Sequence, residues 1–152
     1  MTTVLAGEEI VLCAQGLISA KKQQGPAWID LTVKGVSSLV AGGSLDFGGS
    51  EYQAGTEEAL SPEKKDTEEP YGWWNLDAGT YLLQFNETIP SAEGRVVLIV
   101  PHERLLAAGC SHGTVVVARL DGSVTVPLHV GPEGLSIKEN ARVSKALLAR
   151  VG

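Results

Sequence analysis

Residues 94–110 read G-R-V-V-L-I-V-P-H-E-R-L-L-A-A-G-C. Val96 to Val100 make an unbroken aliphatic run of strand length, rich in β-branched side chains. Pro101 ends the run, and the next residues suit a helix of one or two turns. Pro101 fits the first helical position, Glu103 the positive end of the helix, and Gly109 its C-terminal cap. On that reading His102, Glu103 and Arg104 need no chemistry. They face water or a neighbouring subunit, and the stretch is a strand feeding a short helix.

The same kind of strand recurs on both sides. T-Y-L-L-Q-F (80–85), T-V-V-V-A-R-L (114–120) and G-S-V-T-V-P-L-H-V (122–130) follow the pattern. In the last, Val124, Val126, Leu128 and Val130 share the core face, opposite Ser123, Thr125, Pro127 and His129. Pro127 places that strand at an edge or a bulge. Asp121-Gly122 supplies a hairpin turn before it. Earlier, E-I-V-L-C (9–13), A-W-I-D-L-T-V (27–33) and S-L-D-F (44–47) read as strands. In 27–33, Ile29, Leu31 and Val33 take one face, and Trp28, Asp30 and Thr32 the other. Residues 141–151, A-R-V-S-K-A-L-L-A-R-V, have helical spacing at Val143, Leu147 and Val151. Of the adjacent Trp73 and Trp74, one is expected in the core and the other at a subunit contact. Ser136 to Glu139 match a capping box but precede a strand, so no helix start is assigned there.

Many short strands and one small helix predict a single all-β domain spanning residues 1–152, of sandwich, jelly-roll or barrel type. The chain of 152 residues is long enough to bury one core without staples. Its formal charge of -6 is concentrated: residues 51–70 hold seven acids and two lysines, leaving ten basic and eleven acidic residues elsewhere. The segment 48–70 reads as an acidic, solvated loop. With no clustered basic face, a nucleic-acid partner is excluded. Cys13 and Cys110 have no partner spacing and read as free thiols of a reducing compartment. Cys110-Ser111-His112 lacks the further ligands that zinc needs. The opening M-T-T-V-L-A-G-E-E meets acid too early for a secretory core, and no apolar run spans a bilayer. A cytoplasmic protein with no membrane partner is the expectation.

Read in order, five stretches resemble the dUTPase and dCTP deaminase superfamily, its deaminase-like branch in particular. A-W-I-D-L-T-V resembles "A-S-I-D-L-R-L". W-N-L-D-A-G-T-Y-L-L-Q-F-N-E-T-I (74–89) resembles "L-x-P-G-E-Y-x-L-x-x-T-x-E". V-P-H-E-R-L-L-A-A-G sits where the family has "P/G-R-S-S-L-A-x-x-G". T-V-V-V-A-R-L-D-G-S-V-T-V resembles "I-D-x-x-Y/W-x-G-x-I", and L-S-I-K-E-N-A-R-V-S-K-A-L (135–147) resembles "L-x-I-x-x-G-x-R-I-A-Q-L". The resemblance spans about residues 25–148.

It implies a distorted jelly roll or β-clip barrel, a homotrimer with nucleotide sites between subunits, and a strand at 141–150. It also implies Asp121 as the catalytic acid that orients water, Arg104, Arg142 and Lys145 on the substrate's phosphates, and Asp30 near a Mg²⁺ ion. The motifs depart from the family's pattern. His102 and Glu103 stand where Arg and Ser contact the triphosphate, and a Glu there repels phosphate. Arg104 is displaced by one residue, about 100° on a helix. No aromatic follows Asp121, V-T-V-P-L-H-V carries no catalytic Glu, and Lys145 replaces Gln. Two functions are therefore expected. The first is a dUTPase-like homologue of deoxynucleotide metabolism with reduced or lost catalysis, acting as a trimeric nucleotide-binding or interaction scaffold. The alternative is an active Mg²⁺-dependent dUTP diphosphatase producing dUMP and pyrophosphate.

Overall fold

The computed structural model describes residues 1–152. Its strands are β1 (Thr2–Val4), β2 (Ile29–Ala41), β3 (Thr56–Ala59), β4 (Trp73–Leu76), β5 (Gly79–Phe85), β6 (Arg95–Pro101), β7 (Val115–Val117), β8 (Val126–Val130), β9 (Leu135–Lys138) and β10 (Arg142–Val151). Three short helices accompany them: α1 (Gly7–Cys13), α2 (Ala20–Gln23) and α3 (Glu103–Ala107). Six strands run β7-β6-β10-β2-β5-β8, with β1 added on β10 and β3 on β2, while β4 and β9 pair separately. All pairings are antiparallel. The result is the all-β, barrel-like fold expected, with three helices rather than one. No helix is long and apolar enough to cross a membrane.

Strand β2 organises the barrel. Its first residues pair with β10, its middle with β5 and its end with β3, and the register shifts between Val33 and Gly35. A bulge bends a strand and strengthens its twist, which lets one strand serve both halves of a closing sheet. Ile29, Leu31 and Val33 are fully buried. Asp30 and Thr32, expected on a polar face, are buried too, because helices and loops cover that side.

Strand β10 confirms the resemblance over the local pattern. It pairs with β6 from Ser144 to Arg150 and with β2 from Arg142 to Ala146, so ladder bonds on both sides override helical spacing. Strand β8 lies at the end of the sheet, as Pro127 required, and buries Val126, Leu128 and Val130.

Several expectations are corrected. Residues 9–13 are helical, not a strand. Leu12 is exposed beside buried Ile10, so the apolar run never alternated across a sheet, and Glu8 and Glu9 favour a helix start. Residues 44–47 form no strand; only Ser44 bridges, to Gln53. The acidic segment contains β3 and a bridge from Glu63 to Trp73. The Asp121-Gly122 turn joins strands that do not pair, since β7 lies on β6 and β8 on β5. Both strands are also shorter than the apolar runs that marked them. No helix starts at Ser136, as expected; residues 135–138 form a strand that had not been assigned, and both cysteines are free.

Candidate functional site

The stretch that opened the sequence reading lies at the centre of the site. Pro101 is the last residue of β6, not the first of α3; His102 is the N-cap and Glu103 the first helical residue. The His102 Nδ1 accepts a hydrogen bond from the Arg104 backbone N–H at 3.0 Å. That leaves the proton of the neutral ring on Nε2, which faces Asp30 Oδ2 at 3.4 Å. His102 is only 3% exposed, contrary to the expectation that it faces water. A cap buried under its own helix mouth cannot be solvated, and Asp30 supplies the partner that water would have given. Gly109, at φ +93°, ends the helix in the left-handed conformation as expected.

Asp30 joins two motifs. The same Oδ2 accepts from Arg142 NH1 at 3.3 Å, and Arg142 also donates to the Lys22 carbonyl at 3.2 Å. Asp30 Oδ1 is buried without a partner. A Mg²⁺ ion prefers six oxygens and keeps several waters. A buried carboxylate already shared by an Arg and a His does not offer that shell of oxygens, and in this structure Asp30 serves as an ionic and hydrogen-bonding anchor. No cluster of three or more potential metal ligands occurs in the chain.

Glu103 and Lys145 form an exposed ion pair beside this anchor. The Lys145 hydrogen bond, then one from Glu103's own backbone N–H, hold the Glu103 carboxyl at about 2, well below its ordinary value. Lys145 Nζ also lies 4.1 Å above the Trp28 ring. The lysine expected on phosphate is thus engaged by a carboxylate and an aromatic face.

Arg104 and Arg142 do meet. Both line a groove of about 390 Å³ between α3, β9 and the start of β10, together with Lys138, Asn140 and Trp73. Its floor is apolar, with Leu105, Ile137 and Val143 buried beneath it. No acidic residue lines it. Three cations over an apolar floor and beside a Trp suit an anion that carries a flat ring. Lys138 was not identified as a site residue from sequence, and Trp73 belongs to the pair of which one member was expected at a subunit contact. They come from paired strands β4 and β9, with Trp73 opposite Lys138, and no linear motif marks that pairing. Trp74 is the core member of the pair, its Nε1 donating to the Leu60 carbonyl.

Lys145 and Asp121 are not in the groove. Asp121 sits on the exposed turn before β8, where Oδ2 accepts from Arg119 Nε at 2.8 Å and Oδ1 from the Ser123 N–H at 2.9 Å. Bonds from the Ser123 hydroxyl, then from Arg119, keep its carboxyl at about 2. Such a group is ionised at any ordinary pH. It is a weak base but a competent hydrogen-bond acceptor for water.

A second buried carboxylate was also missed. Glu87 accepts from the Thr32 N–H at 2.8 Å, from the Thr32 hydroxyl, and from Gln23 Nε2 at 2.9 Å. Gln23 Nε2 also donates to the Asp30 carbonyl, so this network braces the strand that carries Asp30. Burial pushes the Glu87 carboxyl above its ordinary range, and the Thr32 and Gln23 bonds oppose that.

No protein-family model matches the chain. It is 29% identical over 154 residues to a protein of Aeropyrum pernix named a probable deoxyuridine 5'-triphosphate nucleotidohydrolase, covering 97% of this chain and 88% of the relative. A protein of the same name from Methanosarcina mazei is 24% identical over 135 residues, covering 88% of this chain and 75% of its own. Among solved structures, the 2'-deoxycytidine 5'-triphosphate deaminase of Agrobacterium tumefaciens superposes with a TM-score of 0.61 at 13% identity. The match takes in 99% of this chain, which spans about half the length of the deaminase chain.

Proposed function

Since the chain belongs to the dUTPase and dCTP deaminase superfamily, we propose that its groove binds a deoxynucleoside triphosphate and that hydrolysis is reduced or lost. The observation that carries this reading is the replacement at the mouth of α3. Where phosphate-gripping Arg and Ser are expected, His102 is buried against Asp30 and Glu103 adds negative charge. Arg142 is partly spent on the same Asp30. Lys138 is paired with Glu69 at 4.0 Å, so Arg104 is left to attract phosphate, as a single contact on an open groove and not as a closed bidentate clamp.

The proposal includes a homotrimer. Asp121 does not line the groove of its own chain, which supports a site completed by a neighbouring copy. A second reading keeps catalysis, and the relatives' names favour it. In it Asp121 of a neighbour orients a water whose oxygen bonds to the α-phosphorus of dUTP. The bond from that phosphorus to the bridging oxygen then breaks and the water's proton passes to solvent, leaving dUMP and pyrophosphate. Mg²⁺ would arrive as part of the nucleotide complex, held by phosphate oxygens.

The discriminating experiment incubates the purified protein with dUTP or dCTP and Mg²⁺, and follows pyrophosphate and ammonia. The first reading expects no turnover, with a rise in melting temperature on adding the nucleotide. Rapid pyrophosphate release that Asp121→Asn abolishes would establish the second instead.

A further inference from the structure

The β4–β9 ribbon lends the groove Trp73 and Lys138, and a loop at residues 64–71 contacts both. The loop is closed at its base. Glu63 and Trp73 exchange two backbone hydrogen bonds, of 2.9 and 2.8 Å, and the Gly72 N–H donates to Glu139 Oε2 at 2.8 Å. Between those ends the backbone makes one hydrogen bond to itself, from the Glu69 N–H to the Asp66 carbonyl at 3.1 Å. A loop whose ends are fastened to each other can move without breaking the sheet, and so few backbone bonds leave it to be held down by side chains.

Two side chains hold it. Lys65 Nζ stands 3.9 Å from the centre of the Trp73 ring, and Lys138 Nζ 5.7 Å from the same centre. Glu69 Oε2 lies 4.0 Å from Lys138 Nζ. That oxygen is shielded from solvent and accepts no hydrogen bond. The pair is too long for a hydrogen bond, so the oxygen is desolvated without a compensating partner. Each side chain of the pair is also 40% exposed, and ion pairs of that kind add little stability. The loop is therefore seated on the ribbon by a contact that a better anion can displace. Phosphate is such an anion, since it carries more charge and more acceptor oxygens than a carboxylate.

We propose that residues 64–71 are a gate on the groove: Glu69 occupies Lys138 until a phosphate-bearing ligand takes the lysine and frees the loop. Lys138 then joins Arg104 and Arg142 beside the anion. Both partners of the gating contact belong to one chain, so the gate works independently of any neighbouring copy. It deepens the nucleotide reading and rests on that reading only for the identity of the ligand.

Limited trypsin digestion, with fragments read by mass spectrometry, reports the loop through cleavage after Lys64 and Lys65 relative to the other sites. Inorganic tripolyphosphate is the probe, against sodium chloride of equal ionic strength, and calorimetry measures its binding in parallel. In wild type, tripolyphosphate is expected to speed cleavage at the two lysines and chloride to leave it unchanged. Glu69→Gln is expected to be cut faster without ligand and to bind tripolyphosphate about threefold more tightly, as suits an exposed ion pair. Glu68→Gln removes the same charge from a side chain that makes no ion pair, and is expected to match wild type in both measurements. A Glu69→Gln protein that behaves as Glu68→Gln, or tripolyphosphate that binds wild type without changing cleavage, would overturn the gate. dUTP is titrated separately. If it binds wild type and Glu69→Gln alike and both are cut alike, the gate alone fails. If tripolyphosphate behaves as expected and dUTP does not bind, the gate stands on an anion site and the nucleotide reading fails. If neither ligand binds any of the three proteins, both fall.

Discussion

His102 shows how one substitution changes a site. An Arg at the mouth of α3 would reach outward to phosphate. His102 is shorter, caps the helix with Nδ1 and turns Nε2 to Asp30. The same Asp30 then restrains Arg142. Glu87 is the other residue with a consequence in solution. Its folded value lies above the ordinary 4.5, so the folded state holds a proton more tightly than the unfolded chain. The resulting stability is fully present below about 4.5 and is lost as pH rises through the folded value. Glu87→Gln does not titrate, although its amide faces the Gln23 donor and costs about 1–3 kcal/mol. Urea denaturation from pH 4 to pH 8 is therefore expected to show the advantage of wild type over Glu87→Gln shrinking as pH rises. An advantage that grows with pH would contradict the burial of this carboxylate.

Helix α1, which stands where a strand was expected, is also held by a contact outside its own residues. Gly7, at its start, packs against the backbone of a distant turn, and an added Cβ would lie 1.8 Å from the Gly25 carbonyl oxygen. Gly7→Ala must push that turn away, at about 1–3 kcal/mol for overpacking. Thermal unfolding followed by circular dichroism checks this. Gly109→Ala makes the contrast, because its Cβ meets nothing and only the left-handed backbone at φ +93° is penalised, by about 1–2 kcal/mol. Both substitutions leave the groove's lining unchanged, so neither is expected to alter nucleotide binding at temperatures where the fold persists.

At the level of the whole molecule, β10 is the strand that most others depend on, since it pairs with β1, β2 and β6. Leu148 on its inner face is fully buried. Leu148→Ala is expected to cost about 2–5 kcal/mol, from lost transfer energy and the cavity left behind. Val151→Ala, near the exposed end of the same strand, should stay within about 0.5 kcal/mol of wild type. Chemical denaturation of the pair measures the difference. Comparable losses for both would mean that the assembled protein buries the end of β10.

The β architecture was legible from residue order. Aliphatic runs of strand length between turn residues favour a sheet, the helical run at 9–13 being the exception, and Pro127 marked an edge. Arg104 and Arg142 were named together only through the resemblance of their motifs to a known family, and the structure sets both on one groove. The tertiary structure alone decided what those residues touch. Burial of His102, the sharing of Asp30, the loss of Lys145 to Glu103 and Trp28, and the arrival of Lys138 and Trp73 at the groove all depend on strands far apart in the chain. Local periodicity reports which face of an element is apolar. It carries no information on which distant element will cover that face, and the chemistry of this groove lies in that covering.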